Sequence, residues 1–492
     1  MKSLFMSAPY PGKQKFEGQP TGLLYALSVT ANKRKNVKEH IKVWCPEGIS
    51  NKEEGKRFER KLKEYIKENK PKILGVSTFS VSYKNALDAM RIAKETSPET
   101  VVIFGGVHED NFVKYYRERK SIDADFDIAG DGMFILDKLY EIVENNPSLT
   151  VEGIKNKVNE SKDEFSRLKG AGILLYNQDN QLKEIKTNGN PISLDKIPTV
   201  PRYLLEEEDK IAKSFIIFNE KKTAQIMTEQ GCPHSCAFCS EGIKKVWYDN
   251  DSPKSANFIR PLSNVEKEIK LVKRQGYSSI FFDDSTFLAK PKDYLKELFN
   301  ILSKYDLEWG CQTTQASIFQ NKELLSKMGE SRCSYVYIGV EHFDGEMRDA
   351  FGNNKYGIIS TENTIRLLRD QGIRIGISLT FGHPNEADSK EATKENVKTA
   401  KYTIDKTADL IKKYDNVIGV SLNLITYQPG TIYSERYEKK VGKIPFIERP
   451  NNFGAFKKFE EGIGSHAHGV TPRLAGFILR YARNKIGDKL FI

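Results

Sequence analysis

Three of the six cysteines fall within one short stretch, "GCPHSCAFCSEG", as Cys232, Cys236 and Cys239, spaced Cys-X3-Cys-X2-Cys. Thiolates at such spacing are metal ligands. A closed structural zinc site needs four ligands, and His234, two residues from each neighbouring cysteine, would strain a shared site. Iron–sulfur clusters also normally take four thiolates. A trio on a four-iron cluster leaves one iron open to an exogenous ligand, so this spacing suits chemistry at the metal. Cys45, Cys311 and Cys333 are scattered among strand patterns and read as small buried hydrophobes. In a chain of 492 residues this is no disulfide framework; it points to metal and a reducing cytoplasm.

Other polar residues cluster where strand patterns end. "FFDDSTF" ends in Asp283 and Asp284, "GCQTT" in Gln312, Thr313 and Thr314, and "IGVEH" in Glu341. "FGHP" contains His383, and "ITYQPGT" contains Thr426, Tyr427 and Gln428. Barrel active sites lie at the carboxyl ends of strands. Tyr427 and His383 are the candidate catalytic groups, with Glu341 a further reachable base.

The elements that must position these residues are legible from periodicity. Residues 1–146 alternate strand and helix patterns, which predicts a doubly wound parallel sheet of Rossmann type. Ser77, Thr78, Gly105, Gly106 and His108 stand at the ends of its strands, where such sheets bind ligands. Residues 147–222 read as a connector containing a hairpin with a polar turn at "NQDNQ". The alternation resumes over 223–440 as six strand–helix units, a partial barrel, with the cysteine loop directly after its first strand. Residues 441–492 form a mainly helical extension, in which "GSHAHG" (His466, His468) reads as a loop because two histidines alone make a poor metal site.

Composition narrows the class. The chain is 39% hydrophobic and 29% charged, a globular balance. It has no apolar run of about 18 residues, so no membrane span is expected, and the start "MKSLFMSAPY" turns polar too soon for a secretion signal. The net charge of +11 suits anionic cofactors as well as nucleic acid. No RNA-binding pattern occurs in residues 440–492, and a nucleic-acid partner is not expected.

"CPHSCAFC", with an aromatic before its last cysteine, resembles the signature of the radical S-adenosylmethionine (SAM) superfamily. The segments "SAPYPG", "QPTGLLYAL", "ILGVSTFSVSY", "VVIFGGVHED", "DIAGDG" and "LDKIPTVPR" look like the cobalamin-binding group of that superfamily, in the expected order over residues 1–440. The resemblance implies a 4Fe-4S cluster on Cys232, Cys236 and Cys239, with SAM on the open iron. It implies Phe238 beside the adenine, Glu341 on the ribose, Asp283 or Asp284 near the methionyl end, and Gln312 among the cofactor contacts. It implies cobalamin held by Ser77, Thr78, Gly105, Gly106 and His108. No Asp-X-His-X-X-Gly motif supplies a lower axial histidine, so the cobalamin is expected base-off and His-off. The chain departs from the group at Pro46, at "AGDG", and at Thr313 and Thr314, where relatives often carry Arg.

The implied activity is methylation of an unactivated carbon of a small, secondary-metabolite substrate through a 5′-deoxyadenosyl radical and methylcobalamin. An electron donor such as flavodoxin or ferredoxin is implied as partner. A cyclase, dehydratase or rearrangement enzyme of the same group is the alternative, and an RNA-modifying enzyme a remoter one. No second cysteine trio of the methylthiotransferase kind is present.

Overall fold

A computed structural model describes residues 1–10, 19–189, 192, 197–214, 216–234, 236–241, 258–345, 358–381, 390–424, 431–433, 435, 439 and 472–491. The described residues divide into two compact units, one within residues 1–214 and the other from residue 216 on. Among the described residues no helix is long and apolar enough to cross a membrane.

The first unit is built on a seven-stranded sheet. Its strands are β1 (Ser3–Ser7), β2 (Ile41–Trp44), β3 (Ile73–Ser77), β4 (Val101–Gly105), β5 (Phe126–Gly130), β6 (Gly172–Gln178) and β7 (Gln181–Lys186), in the order β2-β1-β3-β4-β5-β6-β7. Strands β1 to β5 are parallel, and the hairpin β6–β7 adds antiparallel at one edge. Asp179 and Asn180 both take positive φ at its turn, as a two-residue hairpin turn requires. Apolar residues alternate along β1, β3 and β4. Leu4, Met6, Leu74, Val76, Val102 and Phe104 pack against helices Lys52–Asn69 and Tyr83–Thr96. Helices Thr21–Asn32 and Met133–Asn145 pack together, and Ser3 of β1 meets Tyr140 of the second. This is the doubly wound layout expected from the sequence, with the order reversing between β1 and β3.

The second unit carries another seven-stranded sheet, in which every pairing is parallel. After β8 (Thr223–Ile226), a short antiparallel pair, β9 (Glu229–Gln230) and β10 (Phe258–Ile259), stands apart. The main sheet continues through β11 (Ser279–Phe282), β12 (Glu308–Thr314), β13 (Cys333–Glu341), β14 (Arg374–Phe381) and β15 (Val417–Leu424). The six strands predicted are all there. A seventh, β16 (Leu490–Phe491), comes from the carboxyl-terminal segment and pairs with β15. Two residues are too few to show a period, so the sequence reading took this segment as helical.

The two faces of this sheet differ. On one, Phe282 of β11 and Trp309 of β12 pack with Phe287 and with Phe299 of helix Lys292–Ser303. On the other, Phe281 of β11 and Tyr335 of β13 close on Phe218. At the amino ends of the strands Arg374 of β14 pairs with Glu308 of β12 at 3.1 Å, and Lys221 joins the same carboxylate.

Candidate active site

The cysteine loop begins where β8 and β9 end. Three donors in the preceding turn are fixed by one carboxylate. Asp284 Oδ1 accepts from the backbone N–H of Thr228 at 2.6 Å and of Glu229 at 3.0 Å, and Oδ2 accepts from the Thr228 hydroxyl. On the other side of the turn, buried Arg260 donates to the Met227 carbonyl at 2.6 Å and pairs with Glu268 at 2.7 Å. The loop itself is held by Cys239 N–H to the Cys236 carbonyl, 3.1 Å, and by Tyr433 N–H to the Ala237 carbonyl, 3.1 Å.

All three loop cysteines are thiols of intermediate exposure, outside any disulfide. Burial, helped by the neighbouring cysteines, pushes the Cys232 thiol up to about 11 and the Cys236 thiol up to about 12. A cation beside Cys232 and Cys236 would favour their ionised, metal-binding form. Among the described residues no three His, Cys, Asp or Glu side chains converge as a single ion needs. Three soft sulfur donors on one short loop fit the ligand set of an iron–sulfur cluster. Phe238 lies half-buried on the same loop.

Strand alternation sorts the two adjacent aspartates. Asp283 continues the face of Phe281 and is half-buried; Asp284 continues that of Phe282 and is 1% exposed. Besides the turn, Asp284 holds Lys290 Nζ at 2.9 Å, and the same ammonium lies 3.2 Å from Glu229. Its carboxylate is thus committed within the protein. Thr313 is buried and accepts from Leu288 N–H at 3.3 Å, while Thr314 caps helix Gln315–Gln320 through Ser317 N–H. Gln312 lies half-buried on the Phe281 side of the sheet, two residues beyond Gly310.

Glu341 ends β13 at a bulge, with φ of 63°. That left-handed conformation is uncommon outside glycine. Its carboxylate accepts from the Thr380 hydroxyl of β14, and burial pushes it above the usual carboxylate range. Deeper on the same face, Tyr337 bonds Ser421, and Asn423 donates to Ser378 at 2.9 Å. The sequence reading missed these residues, although their alternation with apolar neighbours was a usable signal. His383 and Tyr427 lie outside the described residues, as do Thr426, Gln428, His466 and His468.

In the first unit, Ser77, Gly105 and Gly106 are half-buried at the ends of β3 and β4. Gly106 has φ of 117°, and a Cβ there would meet the Thr78 carbonyl at 2.7 Å. Thr78 is fully buried and donates to Glu109 at 2.6 Å. His108 is sandwiched between Tyr83 and Phe112, with ring centroids 3.8 and 3.9 Å away, and Ser80 lies 3.2 Å from its Nδ1. Burial lowers its pKa well below the usual range, so the ring is neutral.

Residues 226–397 match the family model described as the radical SAM superfamily. An uncharacterized methyltransferase of Pyrococcus horikoshii is 24% identical over 389 residues, 78% of this chain and 73% of that protein. The anaerobic magnesium-protoporphyrin IX monomethyl ester cyclase of Rubrivivax gelatinosus is 26% identical over 340 residues, covering 68% of this chain and 55% of that one. In fold the chain is similar to the radical SAM methyltransferase TsrM from Kitasatospora setae, solved with cobalamin and a 4Fe-4S cluster bound: TM-score 0.59, 16% identity, 90% of this chain and 76% of that one. The matched residues 226–397 take in the cysteine loop and strands β11 to β14 of the all-parallel sheet, and it is this part of the chain that is similar to the radical SAM superfamily.

Proposed function

We propose that the protein is a cobalamin-dependent radical SAM enzyme that methylates an unactivated carbon of a small molecule. The observation that carries this reading is the three-thiol loop at the carboxyl end of β8 in a chain whose other unit is a doubly wound sheet. When bound, the cluster supplies an electron to SAM at its open iron, and cobalamin supplies a transferable methyl group. Cys232, Cys236 and Cys239 would hold the cluster. Glu341, kept in place by Thr380, would accept from the SAM ribose; Asp283 and Gln312, on the open face, would receive its polar end. Phe218, Phe281 and Tyr335 close the depth of that face with apolar surface and so exclude water there. Ser77 and the Gly105–Gly106 backbone would cradle cobalamin, whereas Thr78 and His108 are engaged inside the protein and would support that cradle from behind.

The test is anaerobic reconstitution with iron, sulfide and cobalamin, followed by product analysis with candidate small molecules. Methylation yields S-adenosylhomocysteine together with 5′-deoxyadenosine and a substrate heavier by one methylene. Deoxyadenosine alone, with no such mass gain, supports instead the radical cyclase reading, which the similarity to the Rubrivivax cyclase favours. An external electron donor such as flavodoxin or ferredoxin belongs to either reading.

A further inference from the structure

We propose that the buried Glu229–Lys290–Asp284 triad is a positioning element for Cys232 that also sets how readily the metal held by the cysteine loop is reduced. The inference rests on reading the three cysteines as cluster ligands. All three triad side chains have 0% exposure. Asp284 alone suffices to fix the turn, since its two oxygens take both backbone donors and the Thr228 hydroxyl. Lys290 reaches that turn only through the Glu229 side chain. It donates to Asp284 and to the Phe287 carbonyl at 3.0 Å, and faces Glu229 at 3.2 Å.

Burying an ammonium and two carboxylates costs several kcal/mol per ion before their attraction is counted. Apolar side chains would fill the same space without that cost. The opposite side of the turn has a balanced pair, Arg260 and Glu268, whereas here two carboxylates face one cation. The imbalance stands at Glu229, three residues before Cys232, on a short strand held in register by Phe258 and Ile259. Charges in a water-poor interior act strongly on one another. Reduction potentials of iron–sulfur centres respond to local charge and to the groups that orient their ligands. Burial pushes the Glu229 carboxyl up to about 7 and Lys290 pulls it back toward the ionised form; ionised, it opposes addition of an electron, and Lys290 tempers that.

The experiment is an EPR-monitored redox titration of the anaerobically reconstituted full chain without substrate, with iron content measured alongside. Glu229→Gln keeps the acceptor that Thr286 N–H uses, and removes the charge. At a fixed potential its reduced-to-oxidised ratio rises about three- to tenfold, tenfold being about 59 mV for one electron. Lys290→Met lowers the ratio by a similar factor. Should Lys290→Met fail to fold, the near-isosteric Glu229→Gln decides the matter. A Glu229→Gln protein with full iron content and a wild-type midpoint overturns the inference alone. Wild-type protein that takes up no cluster overturns the cluster reading and this inference together.

Discussion

The side chain of Glu341 folds back over Gly339, so that a Cβ at position 339 would lie 2.7 Å from Glu341 Oε1. The bulge and the positive φ at Glu341 turn the carboxylate onto this face, the Thr380 hydroxyl fixes it, and the bare backbone at 339 leaves it room. The far end of a flexible side chain yields more easily than backbone. Gly339→Ala is therefore expected to displace the carboxylate rather than unfold the sheet. SAM affinity, measured calorimetrically on the reconstituted protein, should weaken about tenfold, the loss of one charged hydrogen bond of roughly 1.5 kcal/mol. The melting temperature should barely move. Unchanged affinity would remove Glu341 from the SAM site.

The two adjacent aspartates should separate cleanly. Asp284→Asn leaves the Thr228 and Glu229 donors partly satisfied but takes from Lys290 its nearer counterion. Breaking a buried pair typically costs about 3–5 kcal/mol, and Glu229 at 3.2 Å limits the loss to the lower end. Asp283→Asn, on the open face, should stay within about 0.5 kcal/mol of wild type in stability while weakening SAM binding. Thermal melts and SAM titrations on both variants check this, and a stable Asp284→Asn protein with impaired SAM binding would reverse the assignment.

That separation was readable in the sequence, because alternation along "SSIFFDD" already places Phe281 with Asp283 and Phe282 with Asp284. The strand–helix alternation likewise made the parallel strands of both sheets legible, since most of them are short apolar runs followed by a helix with its own period. What could not be read is pairing between distant positions. Lys290 belongs to a residue type almost never fully buried, and nothing in "LAKPKDY" announces that it turns inward to Asp284 and Glu229. Thr78 looked like a ligand donor because it ends a strand, yet it points to Glu109, 31 residues on. The Glu341–Thr380 bond depends on the register of β13 against β14, which a bulge shifts.

Replacement of Cys236 by Ala should leave the fold intact, because the cysteine is of intermediate exposure on a loop outside both sheets. Iron retained after anaerobic reconstitution should fall sharply, and SAM cleavage should drop below detection. Cys45→Ala, in the first unit, is the control and should keep full iron content. Iron analysis and deoxyadenosine release measure both, and a Cys236→Ala protein with wild-type iron would exclude the loop as the cluster site.

The first unit should lose stability as pH rises. Glu109 is fully buried, and desolvation pushes its carboxyl up to about 8, against hydrogen bonds from Thr78 and Tyr116. Asp127, also buried, is raised well above the usual range by desolvation and by the nearby Glu109 and Asp123, with Arg119 opposing. Both acids hold their protons when folded and release them near their ordinary values when unfolded. The folded state therefore binds more protons from about 4.5 upward, and stability declines until the pH passes about 8. Buried His108 acts oppositely: it stays neutral when folded but protonates below about 6.5 when unfolded, so its contribution shrinks as pH falls. Below about 6.5 the histidine offsets one acid; between about 6.5 and 8 only the acids act, and the decline steepens. Each acid can contribute a slope of up to about 1.4 kcal/mol per pH unit there. Hydrogen exchange of amides in β4 and β5, corrected for intrinsic rates, reads this locally. Glu109→Gln should flatten the slope by about half, and protection that grows with pH in wild type would refute the assignment of buried, protonated acids.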